Sequence, residues 1–157
     1  ESRRGDELRA PPRRPGEPIF NRLMVERVVV GGAWMALLGF GAYAWMIGQG
    51  YAPEAARNVL MLLMVLLQNI DAFNARSETV SAFALPLRAN PLLAAGVTGV
   101  LLLHVAAMHV PALQAVVKLA PLPAGTWLLL ALAAATLLLV MELQKLAWQR
   151  RAPAWAG

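Results

Sequence analysis

The chain has 157 residues, 59% of them hydrophobic and 15% charged, an apolar share well above that of a soluble domain. The apolar residues come in four long blocks, each near the roughly 20 residues needed to cross a bilayer core, so the class is a polytopic membrane protein rather than a soluble enzyme. The absence of cysteine excludes disulfides and thiolate metal sites, and the net charge of +5 is explained below by membrane orientation rather than by nucleic-acid binding.

Residues 1–22 read as a basic, Pro-rich cytoplasmic arm. Pro11, Pro12, Pro15 and Pro18 exclude a regular helix and favour extended chain. The polar start, ESRRGDELRAPPRRPGEP, is not that of a cleavable signal peptide. A first residue other than Met is what a fragment or a processed product shows.

Residues 23–148 read as a four-helix transmembrane bundle, with spans at 23–48, 56–75, 92–110 and 126–148. In the first span Glu26 and Arg27 stand at the start, within reach of the interface, and Trp45 is placed for the opposite interface. Gly32, Ala36 and Gly39 lie near one helical face, the pattern that lets a neighbouring helix approach closely. The second span ends in LLQNIDAFNARSE. The connector PALQAVVKLAPLPAG, between the third and fourth spans, is apolar and bounded by prolines, which suits an interfacial segment. Residues 149–157 form a cytoplasmic tail.

Orientation follows from the basic residues. Arg3, Arg4, Arg9, Arg13, Arg14, Arg22 and Arg27 precede or open the first span; Arg76 and Arg88 lie in the middle connector; Lys145, Arg150 and Arg151 close the last span. Only Arg57 and Lys118 fall on the other side. Both termini and the middle connector are therefore expected in the cytoplasm, and the fold class is all-α with four transmembrane helices.

The polar residues within the spans carry the functional question. Gln68 and Asp71 are three apart and share a helical face, and Asn74 follows three further on, while Asn69 points about 100° away. A carboxylate at the bilayer centre is costly by some 3 kcal/mol on insertion scales. Oxygen-bearing side chains on one face suit a hard cation or a proton; hydrogen bonds to a neighbouring helix use the same residues. His104 and His109 are about 140° apart on their helix and make a poor metal pair. Glu142 and Lys145 are spaced for an ion pair, with a bridge from Glu142 to Arg76 or Arg88 as the other option. The sequence contains no phosphate-binding loop of Walker type, no HExxH and no nucleophile elbow, so no catalytic residue and no metal site is assigned.

LRAPPRRPGEPIF, NARSE, ANPLL, HVPALQAV, APLP and the spacing from Trp127 to MELQK occur in an order that resembles the C-terminal membrane region of P-type cation-transporting ATPases, in the calcium-pump-like branch. The resemblance runs from about Leu8 to Lys145 and matches the seventh to tenth membrane helices. It implies a part in ATP-driven cation transport, with the principal ion ligands on helices outside this chain and with ATP and Mg²⁺ used only by a whole pump. It also implies that Gln68 occupies the eighth-helix position where two-site calcium pumps carry Glu, with Asp71 and Asn74 beside it. Calcium is the cation the resemblance points to, and the amide at position 68 counts against a second calcium site. The family's phosphorylation motif, DKTGT, does not occur in the sequence.

Two functions follow as expectations. In the first, the chain is the C-terminal domain of a pump in a bacterial cytoplasmic membrane, bracing the transport helices and bordering the cation path. Its partners are then the lipid bilayer and the remaining helices and cytoplasmic domains. In the second, it is a stand-alone accessory or scaffold subunit derived from that domain, without transport activity. An independent channel or proton carrier fits least well, because Asp71 and Glu142 both lie toward one side of the membrane.

Overall fold

The computed structural model describes residues 22–76, 81–84 and 90–151. The basic arm other than Arg22, the last six residues and Arg88 lie outside the described residues. The chain is helical throughout its long elements: α1 (Arg22–Gly48), α2 (Pro53–Asn74), a single 3₁₀ turn (Ala82–Ala84), α3 (Pro91–His109), the short α4 (Pro111–Val117) and α5 (Ala124–Arg151). Among the described residues there is no strand, and α1, α2, α3 and α5 are each long and apolar enough to cross a membrane. A helix satisfies its own backbone in hydrocarbon, which is why these apolar blocks adopt no other form there.

The element boundaries have local causes. Pro53, Pro91 and Pro111 each stand in the first turn of a helix, where the missing N–H costs nothing and φ is already helical. Asn90 caps α3 by accepting a hydrogen bond from the Leu93 N–H at 2.8 Å. Helix α4 stops at Lys118, whose left-handed backbone (φ 57) turns the chain toward α5. Helix α2 begins three residues earlier than hydropathy alone suggests, because Pro53 opens it. Helix α5 runs on to Arg151, since residues 149–151 are good helix formers and the two arginines suit the negative end of the helix dipole.

Helix α2 occupies the middle of the bundle and touches α1, α3 and α5, its most extensive contact being with α5. The core is built from Leu62, Leu63 and Leu67 of α2 against Leu130, Ala134, Leu137 and Met141 of α5, with Met108 of α3 closing one side. Helix α3 otherwise presents Leu92, Val100, Leu102 and Leu103 outward, as a lipid-facing helix does.

The small-residue face of α1 differs from the sequence expectation. Gly39 packs closely: a Cβ there would lie 2.8 Å from Met64 Cε and 3.4 Å from Leu60 Cδ1. Its companion is Gly31, whose Cβ position lies 3.4 Å from Met141 Sδ, whereas Gly32 has nothing within 4 Å and Ala36 is exposed. Helix α1 is apolar on every side, so periodicity could not choose between the adjacent glycines. The packed stripe also holds Trp34, Met35, Leu38 and Ala42.

Replacing Gly39 by Val should lower the thermal unfolding midpoint in detergent, with a cost of about 1–3 kcal/mol for overpacking. Gly41→Ala, at a glycine with nothing within 4 Å, should change it little.

Candidate functional site

The inner halves of α1 and α2, at the end of the bundle that carries most of the basic residues, enclose a groove of about 470 Å³. Gln68 and Asp71 of α2 line one wall, Arg27, Gly31 and Gly32 of α1 the other, and Met141 of α5 the floor. Gln68 and Asp71 share this wall because three residues bring a helix almost back to the same face. Gln68 is exposed on it, and its one polar contact among the described residues is Nε2 to Met35 Sδ at 4.0 Å. Asp71 is half-buried, and its carboxylate has neither a hydrogen bond nor an ion pair among the described residues. Arg27, expected near the interface, turns inward and donates from Nη2 to the Asn74 carbonyl at 3.3 Å. Glu26 pairs instead with Arg22 at 3.1 Å.

Asn74 does not join Gln68 and Asp71 in the groove. Its side chain is fully buried, seven residues beyond Leu67 and therefore on the α2 face that meets α5. The three residues grouped by spacing thus divide into a groove pair and a core residue.

At the same end, Glu142 and Lys145 form an ion pair at 2.9 Å, with the Lys145 side chain only 2% exposed. Glu142 also accepts from the Ala82 N–H at 3.0 Å and from the Ser81 hydroxyl. It therefore does reach the middle connector, at Ser81 and the Ala82 backbone; Arg76 makes an interaction of its own, and Arg88 lies outside the described residues. Among the described residues no group of acidic and histidine side chains could hold a metal ion.

Three polar contacts had no reading from sequence. Asn58, buried in the first half of α2, clasps the connector before α5: its Nδ2 donates to the Ala120 carbonyl at 2.9 Å and its Oδ1 accepts from the Ala120 N–H at 3.3 Å. Trp34 Nε1 donates to Thr136 Oγ1 at 2.9 Å, joining α1 to α5. Gln114 donates to the Met108 carbonyl, fastening α4 to α3. The signal for each was a lone polar group within an apolar run, which needs a partner at that depth. His104 is buried, its ring edge-on to Trp127 at 6.5 Å between centroids. His109 is exposed and bonds through Nδ1 to the Val105 carbonyl at 3.0 Å. The two histidines do not meet.

Four spanning helices and a polar groove at the basic end define an integral membrane domain. The chain belongs to the family described as cation transporting ATPase, C-terminus, whose model matches residues 1–147. It is 28% identical over 117 residues to the probable cation-transporting ATPase F of Mycobacterium tuberculosis, covering 74% of this chain and 13% of that protein. It is 29% identical over 148 residues to the mouse calcium-transporting ATPase type 2C member 2, covering 92% and 15%. It is 24% identical over 185 aligned residues to the endoplasmic reticulum calcium ATPase srcA of Aspergillus fumigatus, covering 97% and 19%. The chain therefore spans between 13% and 19% of the length of these relatives.

Glu142→Ala should destabilise the basic end by about 2–3 kcal/mol, because it strips a buried lysine of its carboxylate and the connector of its acceptor. Glu142→Gln, which keeps an acceptor oxygen, should cost less. Thermal midpoints of both variants, together with protease cleavage in the middle connector, check the order.

Proposed function

We propose that this chain is the C-terminal membrane domain of an ATP-driven P-type cation pump in a bacterial cytoplasmic membrane. Its helices brace those that carry the ion, and the Gln68–Asp71 wall of the groove borders the cation path. The observation that carries this reading is the Asp71 carboxylate, without a partner among the described residues, beside an exposed Gln68, both on a groove within the membrane-spanning part. Such groups are stable at that depth against protein or water and costly against acyl chains. The groove's partner is then another helix of the same pump, and the exposed Gly32 and Ala36 leave room for its approach. ATP and Mg²⁺ act on parts of the pump outside this chain.

Arg27 limits what this wall can do. A guanidinium in the same groove repels a cation held at Asp71 and Gln68, so the wall borders an ion site completed by other helices and does not form one by itself. The names of the mouse and Aspergillus relatives make Ca²⁺ the first ion to test. An amide at position 68 is a weaker ligand for it than a carboxylate, since charged oxygens set much of Ca²⁺ affinity.

In the full-length protein, Gln68→Ala and Asp71→Asn should each shift the cation concentration for half-maximal ATPase activity several-fold, with the thermal midpoint little changed. Unchanged cation dependence in both would make them packing residues. An intact mass for the native polypeptide close to that of this chain would contradict the pump reading as a whole and favour an accessory subunit.

A further inference from the structure

Six buried side-chain nitrogen and oxygen atoms among the described residues have no hydrogen-bond partner from the protein. One is His104 Nε2; the other five are Arg27 Nε and both amide atoms of Asn74 and of Gln144. Helix register places these five at one level of the bundle. Arg27 touches Asn74 directly through the Asn74 carbonyl. The α1–α5 register is set by Trp34 against Thr136 and Gly31 against Met141. Carried one turn further along two antiparallel helices, it sets Gln144 opposite Arg27. Gln144 also lies midway in angle between Thr136 and Met141, on the α5 face turned to α1. Three helices therefore bring five orphaned polar atoms to one level of the bundle.

Leaving such groups unpaired in a buried site is costly, so something must bond to them, and their chemistry selects it. The set comprises three donor groups (the guanidinium N–H and two amide NH₂) and two acceptors (the amide oxygens), and exchanging O and N in either amide leaves that inventory unchanged. A cation is repelled by Arg27 and by the neighbouring Lys145, and an anion meets two carbonyl-type oxygens and the Glu142 carboxylate. A neutral molecule that both donates and accepts suits every atom.

We propose that the basic end of this bundle holds a buried hydration site, in which water bound by Arg27, Asn74 and Gln144 joins α1, α2 and α5. A buried water makes about three hydrogen bonds, so about two waters satisfy the cluster. The outer part of the bundle is held by direct contacts, Trp34 to Thr136 and Gly39 against Met64. The wet end is held by bonds that re-form after small shifts of a helix. This site shares Arg27 with the groove but neither Gln68 nor Asp71, and it stands on this chain's own side chains whether or not the pump reading holds.

The test is X-ray radiolytic footprinting of the full-length protein in nanodiscs, which oxidises side chains beside bound water. Met141 is 2% exposed and adjoins the cluster; Met108 is 0% exposed in the apolar core and serves as the dry control. Met141 should oxidise several-fold faster than Met108, and the double variant Asn74→Leu, Gln144→Leu should bring it down to the Met108 rate. Equal rates in the wild-type protein would overturn the proposal. So would a Met141 rate that the double variant leaves high, because the open groove would then be the source of the water. If the double variant fails to fold, a high-resolution map of the wild-type protein decides. Solvent density within hydrogen-bonding distance of Asn74 and Arg27 Nε supports the site, and direct bonds between these side chains contradict it.

Discussion

The packing of α2 against α5 is the contact on which the rest of the arrangement depends. In lipid the hydrophobic effect does not distinguish a helix face from an acyl chain, so association relies on close fit and on hydrogen bonds between helices. Leu62, Leu63 and Leu67 join Leu137 and Met141 in the most deeply buried part of the core. That contact sets the level at which α1 crosses both helices. It leaves α3 attached mainly through α2 and the α4 connector, with its outer face free for lipid.

Polar contacts then divide the bundle into two ends of different character. At one end Asn58 holds the Ala120 backbone through two hydrogen bonds, and a left-handed Lys118 fixes the turn. The other end gathers ionisable and amide side chains: Arg27, Asp71, Asn74, Glu142, Gln144 and Lys145. Glu142 ties α5 to the middle connector there, and Gln68 and Asp71 look into the groove. A domain built in this way is anchored at one end and polar at the other.

Much of this was legible in the sequence. Four apolar blocks and the Glu142–Lys145 spacing are local features, and each maps onto a local structural result. The family resemblance rested on motif order and agrees with the family match over residues 1–147. What could not be read depended on how helices face one another. Spacing alone grouped Asn74 with Gln68 and Asp71, yet the α2–α5 contact draws Asn74 into the core. The choice between Gly31 and Gly32 turned on where Met141 lands, and the role of Asn58 turned on the path of a connector 62 residues away. A helix apolar on every side carries no periodic signal of its orientation, so these facts enter only with the tertiary structure.

The central claim is that the Gln68 wall of α2 faces protein or water in the assembled molecule, not lipid. The most direct measurement is the oxygen accessibility of a nitroxide at position 68 in the full-length protein in bilayers, read by electron paramagnetic resonance power saturation. Phe40 and Leu103, which are exposed apolar positions of the spans, provide the lipid-facing reference. Oxygen accessibility well below that reference is the predicted result. Accessibility equal to it, with a side chain at 68 in contact with acyl chains, would contradict the account.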